Sequence, residues 1–349
     1  MTPRARVLAA LRREPVDRAP VGSATSTVSM EVMEAVGVHF PQAHLDPESM
    51  ATLAASAYTI LGHDIIMPIF SVQHEAEALG CQVDWGRPDM MPEARARPAR
   101  PGARPWRDAA DIHIPTDFLD RPACRVALSA LKLLRRRFAD EVAVMGKVFG
   151  PWTLAYHLFG TEPFLVDTIL RAGEVRRILD TLKEVTVLFA AAQFEAGADA
   201  LCLADHATGD LVSAQAYRDF LFPIHQELAQ RIEGPVVLHI CGDTHDRLPD
   251  IARTGFACFH YDTKVPAAKA RQLAGEGLAL MGGVNNPVTL ASGDAERVRR
   301  EVFAALDARI DIIGPECAVP LNAPLAGLRA IRDAADEYQR RSEAKEKRP

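Results

Sequence analysis

The stretch Val236–Asp246, VVLHICGDTHD, is an apolar run that ends in a histidine and a cysteine and breaks into a Gly-Asp turn. Five of its first six residues are apolar and strand-friendly. Side chains two positions apart on a strand point to the same face, so His239 and Cys241 share a direction. Either they are satisfied core residues, or they hold something between them. The same grammar of an apolar run with a polar end recurs along the chain. It is found in APVGSAT (from Ala19), DIIMPIF (from Asp64), EVAVMGKVFG (from Glu141), ADALCLAD (from Ala198), FACFHYD (from Phe256), LALMGGVNN (from Leu278) and IDIIGPEC (from Ile310). Amphipathic segments such as PESMATLAASAYTIL, EVRRILDTLKEVTVLFAAAQFEAG and AERVRREVFAALDARI lie between them. Strands alternating with helices indicate a parallel sheet, and eight such runs indicate an α/β fold of the (β/α)8 TIM-barrel type.

The expected organisation is a single barrel domain over residues 1–349. A Pro- and Arg-rich excursion over 84–125 interrupts it between the second and third strands. That segment lacks apolar periodicity, and it is expected to pass near the barrel mouth with a short hairpin. A solvated surface loop without a role is the competing reading. The charged tail, 340–349, is expected to be flexible.

Composition narrows the function. The 349 residues are 48% hydrophobic and 25% charged, ordinary for a soluble globular protein. A formal net charge of −6 argues against nucleic acid as a partner. No run is long enough to span a bilayer, and the opening MTPRARVLAALRREPVDRAP lacks a signal peptide's apolar stretch, so no membrane partner and a cytoplasmic location are expected. In that compartment six cysteines are expected as buried thiols or metal ligands rather than disulfides. No GxSxG elbow, GxGxxG turn or P-loop is present.

Barrel enzymes place their chemistry where the strands end. The polar residues that end the last five runs are Asp205 and His206, His239 and Cys241, Asp262, Asn285 and Asn286, and Cys317. Thiolate with imidazole suits zinc, and three protein ligands with one exchangeable position mark a reactive site. Cys317 is the natural third donor after His239 and Cys241, and Asp262 is a plausible oxygen ligand. The bland alternative makes Cys241 and Cys317 small buried hydrophobes. Cys202 and Cys258, inside apolar runs, are expected to be that. Cys81 and Cys124 flank the excursion with no function argued, and His245, beyond the turn, is expected in solvent.

The blocks REPVDRAPV, GPWTLAYHLFGTE (from Gly150), ADHATGDLVSAQAYRDFLFP (from Ala204), LHICGDT and GPECAVPLNAPLAGLRAI resemble the uroporphyrinogen decarboxylase superfamily. Within it they resemble the methylcobamide:thiol methyltransferases, of which the coenzyme M methyltransferases are best known. The likeness runs from about Arg13 to about Ala335. It implies a zinc ion bound by His239, Cys241 and Cys317, with Asp262 as an exchangeable fourth ligand where relatives also carry Glu. It implies methyl transfer from a methylated corrinoid (methylcobamide), carried by a separate corrinoid protein docking at the rim, to a thiol such as coenzyme M through a zinc-bound thiolate. Two thiolates, a neutral imidazole and a carboxylate on Zn²⁺ leave a net charge of about −1, which keeps the bound sulfur nucleophilic. Asp205, His206 and Asn285 become candidates for orienting the thiol or supporting the ligands; each is equally an ordinary turn or cap residue.

The alternative is a metal-independent uroporphyrinogen decarboxylase-like lyase. It requires an arginine-bearing segment after the first strand to grip carboxylates, and VGSATSTVSMEV stands there without a basic residue. A barrel with structural zinc, or a silent binding partner of a corrinoid protein, is the third reading. The acceptor thiol (or a folate), the upstream methyl donor and the oligomeric state are not written in this chain.

Overall fold

The computed structural model describes residues 1–98 and 105–346. Strands β1 (Ile65–Ile66), β4 (Ala143–Phe149), β5 (Ala200–Ala204), β6 (Val236–Ile240), β7 (Cys258–Tyr261), β8 (Ala279–Val284) and β9 (Ile312–Pro315) form one parallel sheet in the order β1-β4-β5-β6-β7-β8-β9. Each crossover carries helix, among them Ala172–Glu195 between β4 and β5 and Ala295–Asp307 between β8 and β9. All eight expected runs are found, and the first is reduced to a single bridge, Val21 with Ile313.

That bridge closes the ring. Gly22 N donates to Ile313 O at 2.9 Å and Ile313 N to Pro20 O at 2.9 Å on one side. On the other, Asp64 N donates to Val21 O at 2.6 Å. The stave is short because its neighbours stand unusually close. A Cβ on Gly314 would sit on the Gly22 carbonyl oxygen, and one on Gly22 would come within 2.8 Å of Ile65. Glycine is what lets the first and last staves touch.

A second device pins the staves. Asp64, Asp199 and Asp311 each stand one residue before a strand, and each accepts the amide of the preceding stave: Val21 N at 2.8 Å, Val144 N at 2.9 Å and Leu280 N at 2.8 Å. Each is also paired with arginine. Asp64 takes Arg6 at 2.7 Å and Arg18 at 2.8 Å, Asp199 takes Arg4 at 2.9 Å, and Asp311 takes Arg271. A one-residue slip would invert every side chain of a stave, so pinning its first residue protects the inward set.

An antiparallel hairpin, β2 (Cys81–Asp84) with β3 (Glu93–Pro98), lies between β1 and β4 and leads into the segment 84–125. It leans on the helix Pro151–Phe159: Cys81 Sγ lies 3.6 Å from His157 O. Residues 99–104 of the excursion lie outside the described residues. The last helix, Leu325–Glu346, takes in much of the tail that was expected to fray, and 347–349 lie outside the described residues. No described helix is long and apolar enough to cross a membrane.

Candidate metal centre

His239 is the fourth residue of β6 and lies in register with Ala204 on one side and His260 on the other. It is 1% exposed. Its Nδ1 lies 3.1 Å from His260 O, so the proton sits on Nδ1 and the Nε2 lone pair faces the mouth. His260 is tied in turn to Pro315 O at 2.7 Å.

Cys241 and Cys317 complete the group. Cys241 Sγ is 3.0 Å from His239 Nε2 and 3.0 Å from Cys317 Sγ, and Cys317 Sγ is 3.4 Å from His239 Nε2. Among the described residues this is the one set of three or more His, Cys, Asp or Glu donors within 4.8 Å of one another. The thiols are unlinked and half-buried. The hydrogen bond from Cys241, aided by the His239 imidazole, holds the Cys317 thiol well below the usual range although burial opposes it. The same hydrogen bond and burial push Cys241 up. Two adjoining thiolates would need a cation between them. Soft donors, adjacent sulfurs and a set imidazole tautomer fit zinc chemistry.

The loops that carry these donors are braced. Gly242 has φ 78° and its N donates to Asp262 Oδ2 at 2.8 Å; a Cβ there would strike Thr208 Oγ1. Asp262 Oδ1 accepts Lys264 N at 2.9 Å. Asp262 thus pins the Cys241–Gly242 turn, and its carboxylate stands beside the three-donor group of His239, Cys241 and Cys317. On the other arm, Asn286 Nδ2 donates to Cys317 O at 2.9 Å and Ala318 O at 2.8 Å. Buried Glu316 accepts Asn286 N and Thr263 N, each at 2.9 Å. Asn285 belongs to that network: Nδ2 reaches Glu316 Oε1 at 3.2 Å, and Oδ1 accepts Val288 N at 3.0 Å. The bond to Glu316 ties it to the loop that carries Cys317.

Asp205 is held by its own set of partners. It is wholly buried, accepts Thr153 N at 2.8 Å, and meets His225 Nε2 at 3.1 Å; His225 Nδ1 reaches Tyr217 OH at 3.1 Å. A Cβ on Gly150 would collide with this carboxylate. His206 is only half-buried and lies near enough to His239 and Cys317 for their charges to act on it; burial leads in lowering its pKa. Cys202 and Cys258 are buried strand thiols as expected, Cys202 pushed up to about 12 by burial. Cys81 and Cys124 are buried and free. His245 is exposed and pairs with Asp243 at 2.7 Å.

Two residues, Glu316 and Lys147, escaped the sequence reading, and Asn286 stood in it only as the polar end of a run. Glu316 and Asn286 sit beside expected site residues, yet only the folded loops show what they hold. Lys147 did leave a signal, as the one charge inside the apolar VAVMGKVFG run. It is 2% exposed, and its ammonium feels Cys202, Cys317, Glu75 and Cys241, in that order of strength, against burial.

Known proteins share this architecture. The uroporphyrinogen decarboxylase (URO-D) family pattern matches residues 2–338. The methylcobamide:CoM methyltransferase MtaA of Methanosarcina barkeri is 32% identical over 339 residues, covering 97% of this chain and 98% of that protein. The methylated-thiol–coenzyme M methyltransferase of Methanosarcina mazei is 32% identical over 338 residues, covering 97% and 90%. A solved methyltransferase from Methanosarcina mazei superposes with TM-score 0.91 at 32% identity, covering 97% of this chain and 99% of its own. A pattern matched from end to end, with relatives above 30% identity over nearly their full length, makes this chain a member of the uroporphyrinogen decarboxylase (URO-D) family.

Proposed function

We propose that this protein is a zinc-dependent methyltransferase that moves a methyl group from a methylated corrinoid, held on a corrinoid protein, to a small thiol of the coenzyme M type. The observation that carries the reading is the convergence of His239, Cys241 and Cys317 at the strand ends, in a chain similar throughout to methylcobamide:CoM methyltransferases. His239, Cys241 and Cys317 would hold zinc, which would supply a Lewis acid to lower the pKa of an incoming thiol.

The chain's own residues do the rest. The His260 carbonyl keeps the His239 proton on Nδ1 and leaves Nε2 free to ligate. Asp262 and Asn286 hold the two cysteine-bearing loops at their separation. Cys241 and Cys317 are half-buried, which leaves an approach from the mouth. We assign the orientation of a bound thiol to His206, half-buried on the adjoining loop after β5.

The lyase reading is weaker on chemistry. The segment after the first stave, Ser23 to Ser29, is occupied by mutual hydroxyl contacts such as Ser23 Oγ to Thr25 Oγ1 at 2.9 Å, with no guanidinium to neutralise a polycarboxylate. The test measures zinc in purified protein, then incubates it with free methylcobalamin and a panel of thiols while cobalt absorbance is followed. About one zinc per chain is expected, with thiol methylation, and both lost in Cys241→Ser and Cys317→Ser. Porphyrinogen decarboxylation by zinc-free protein would overturn the reading.

A further inference from the structure

A second polar cluster lies inside the barrel across from the cysteines. β4 alternates, and Gly146 faces Gln193 of the crossover helix, so Lys147 points inward. Its Nζ stands 5.4 Å over the Phe149 ring and forms no ion pair among the described residues. Around it stand His44, His74 and Glu75, all wholly buried. Neither nitrogen of His44 has a hydrogen-bond partner, nor has His74 Nε2 or Glu75 Oε2. Glu75 Oε1 accepts Phe149 N at 2.9 Å, which fixes its carboxyl beside the lysine strand. Trp85, from the β2–β3 hairpin, covers the two imidazoles with ring centroids 5.9 Å and 5.3 Å away.

Buried polar groups are almost always partnered, and a lone buried ammonium costs several kcal/mol unless something pairs it. A metal is not the answer, because these donors do not come within 4.8 Å of one another as a group of three. Burial drives both imidazoles down to about 3, pushes Glu75 up to about 8 and lowers Lys147 too, so nothing in the cluster offers the ammonium a ready negative partner. That combination suits an anion. Register pairs Lys147 with Cys202 and Cys202 with Val237, two residues before His239, so the ammonium and the imidazole share the inward face of the sheet.

We propose that Lys147, with His44 and His74 under Trp85, is the subsite that takes the acid end of the acceptor, a short thiol bearing a carboxylate or sulfonate. The assignment rests on the thiol methyltransferase reading. It gives the excursion a task, since its Trp85 closes the subsite. Lys147 is a specificity residue and leaves the reacting sulfur to the metal centre.

The test has two arms. In the first, ethanesulfonate (which has no thiol) is titrated calorimetrically into metal-stripped wild type, Lys147→Met and His44→Gln. Binding is expected in wild type, weakened about thirtyfold or more in Lys147→Met and less in His44→Gln. In the second, the zinc-loaded proteins methylate 2-mercaptoethanesulfonate, 3-mercaptopropionate and neutral 2-mercaptoethanol from methylcobalamin. KM for the two acids is expected to rise in Lys147→Met while the neutral thiol is unaffected. Should Lys147→Met fail to fold, the wild type's preference for the acids and the His44→Gln titration still decide. Equal ethanesulfonate binding in all variants, or acids and neutral thiol affected alike with turnover intact, overturns the subsite alone. Zinc-loaded wild type that methylates no thiol sinks the methyltransferase reading and the acceptor role with it.

Discussion

At the residue scale the three-donor centre depends on side chains that stand outside it. Asn286 holds the carbonyls of Cys317 and Ala318, and so sets where one sulfur stands. Asn286→Ala is expected to weaken zinc binding by about ten- to a hundredfold, measured by chelator competition, while the melting temperature moves little. The buried histidines set a pH dependence. His44 and His74 are held to about 3, and His63 to about 4, chiefly by burial. Below their ordinary pKa the unfolded chain takes up protons that the folded protein refuses. Their contribution is therefore present above pH 6.5 and is lost as pH falls toward 3, by about 1.4 kcal/mol per pH unit for each. Glu75, raised to about 8, works in the opposite sense: its contribution is complete below about pH 4.5 and is lost as pH rises through 8. Urea unfolding across pH 4–8 should show reduced acid sensitivity in His63→Gln and a flatter alkaline slope in Glu75→Gln.

At the element scale, strand starts matter as much as strand ends. The aspartates before β1, β5 and β9 fasten each stave to its neighbour and pair with arginines. Asp64→Ala removes the partner of Arg6 and Arg18 at once, and is expected to cost about 3–5 kcal/mol in urea unfolding. Closure between the first and last staves depends on Gly314, and Gly22 lets the first stave pack against Ile65 of the second. Gly314→Ala should destabilise by about 1–3 kcal/mol or more, because the obstructing atom is a backbone carbonyl that cannot swing aside. The hydrophobic periodicity made the eight runs visible, since a strand buried on both faces is apolar throughout. It could not show that the first would shrink to one bridge, which follows from how tightly its glycine packs.

At the scale of the whole molecule, the donors sit on the rim of a core that closes without them. The sheet, its helices and the aspartate pins hold independently of any ion, so chelation is expected to abolish thiol methylation while leaving far-UV circular dichroism and a cooperative melt. Loss of the fold on chelation would mean the metal is structural. The sequence by itself determined the alternating architecture and the three soft donors. Local periodicity records burial, and a histidine and cysteine two apart on a strand must share a face. Only the tertiary structure decided which of the other polar residues take part. Asp205 and Asp262 end apolar runs just as His239 does, yet one caps a helix and the other pins a turn. Lys147, Glu316 and Asn286 acquire partners, or lack them, from segments far away in the chain. A hydrogen bond or an unpaired charge belongs to the space between elements, and that space exists only once the barrel has closed.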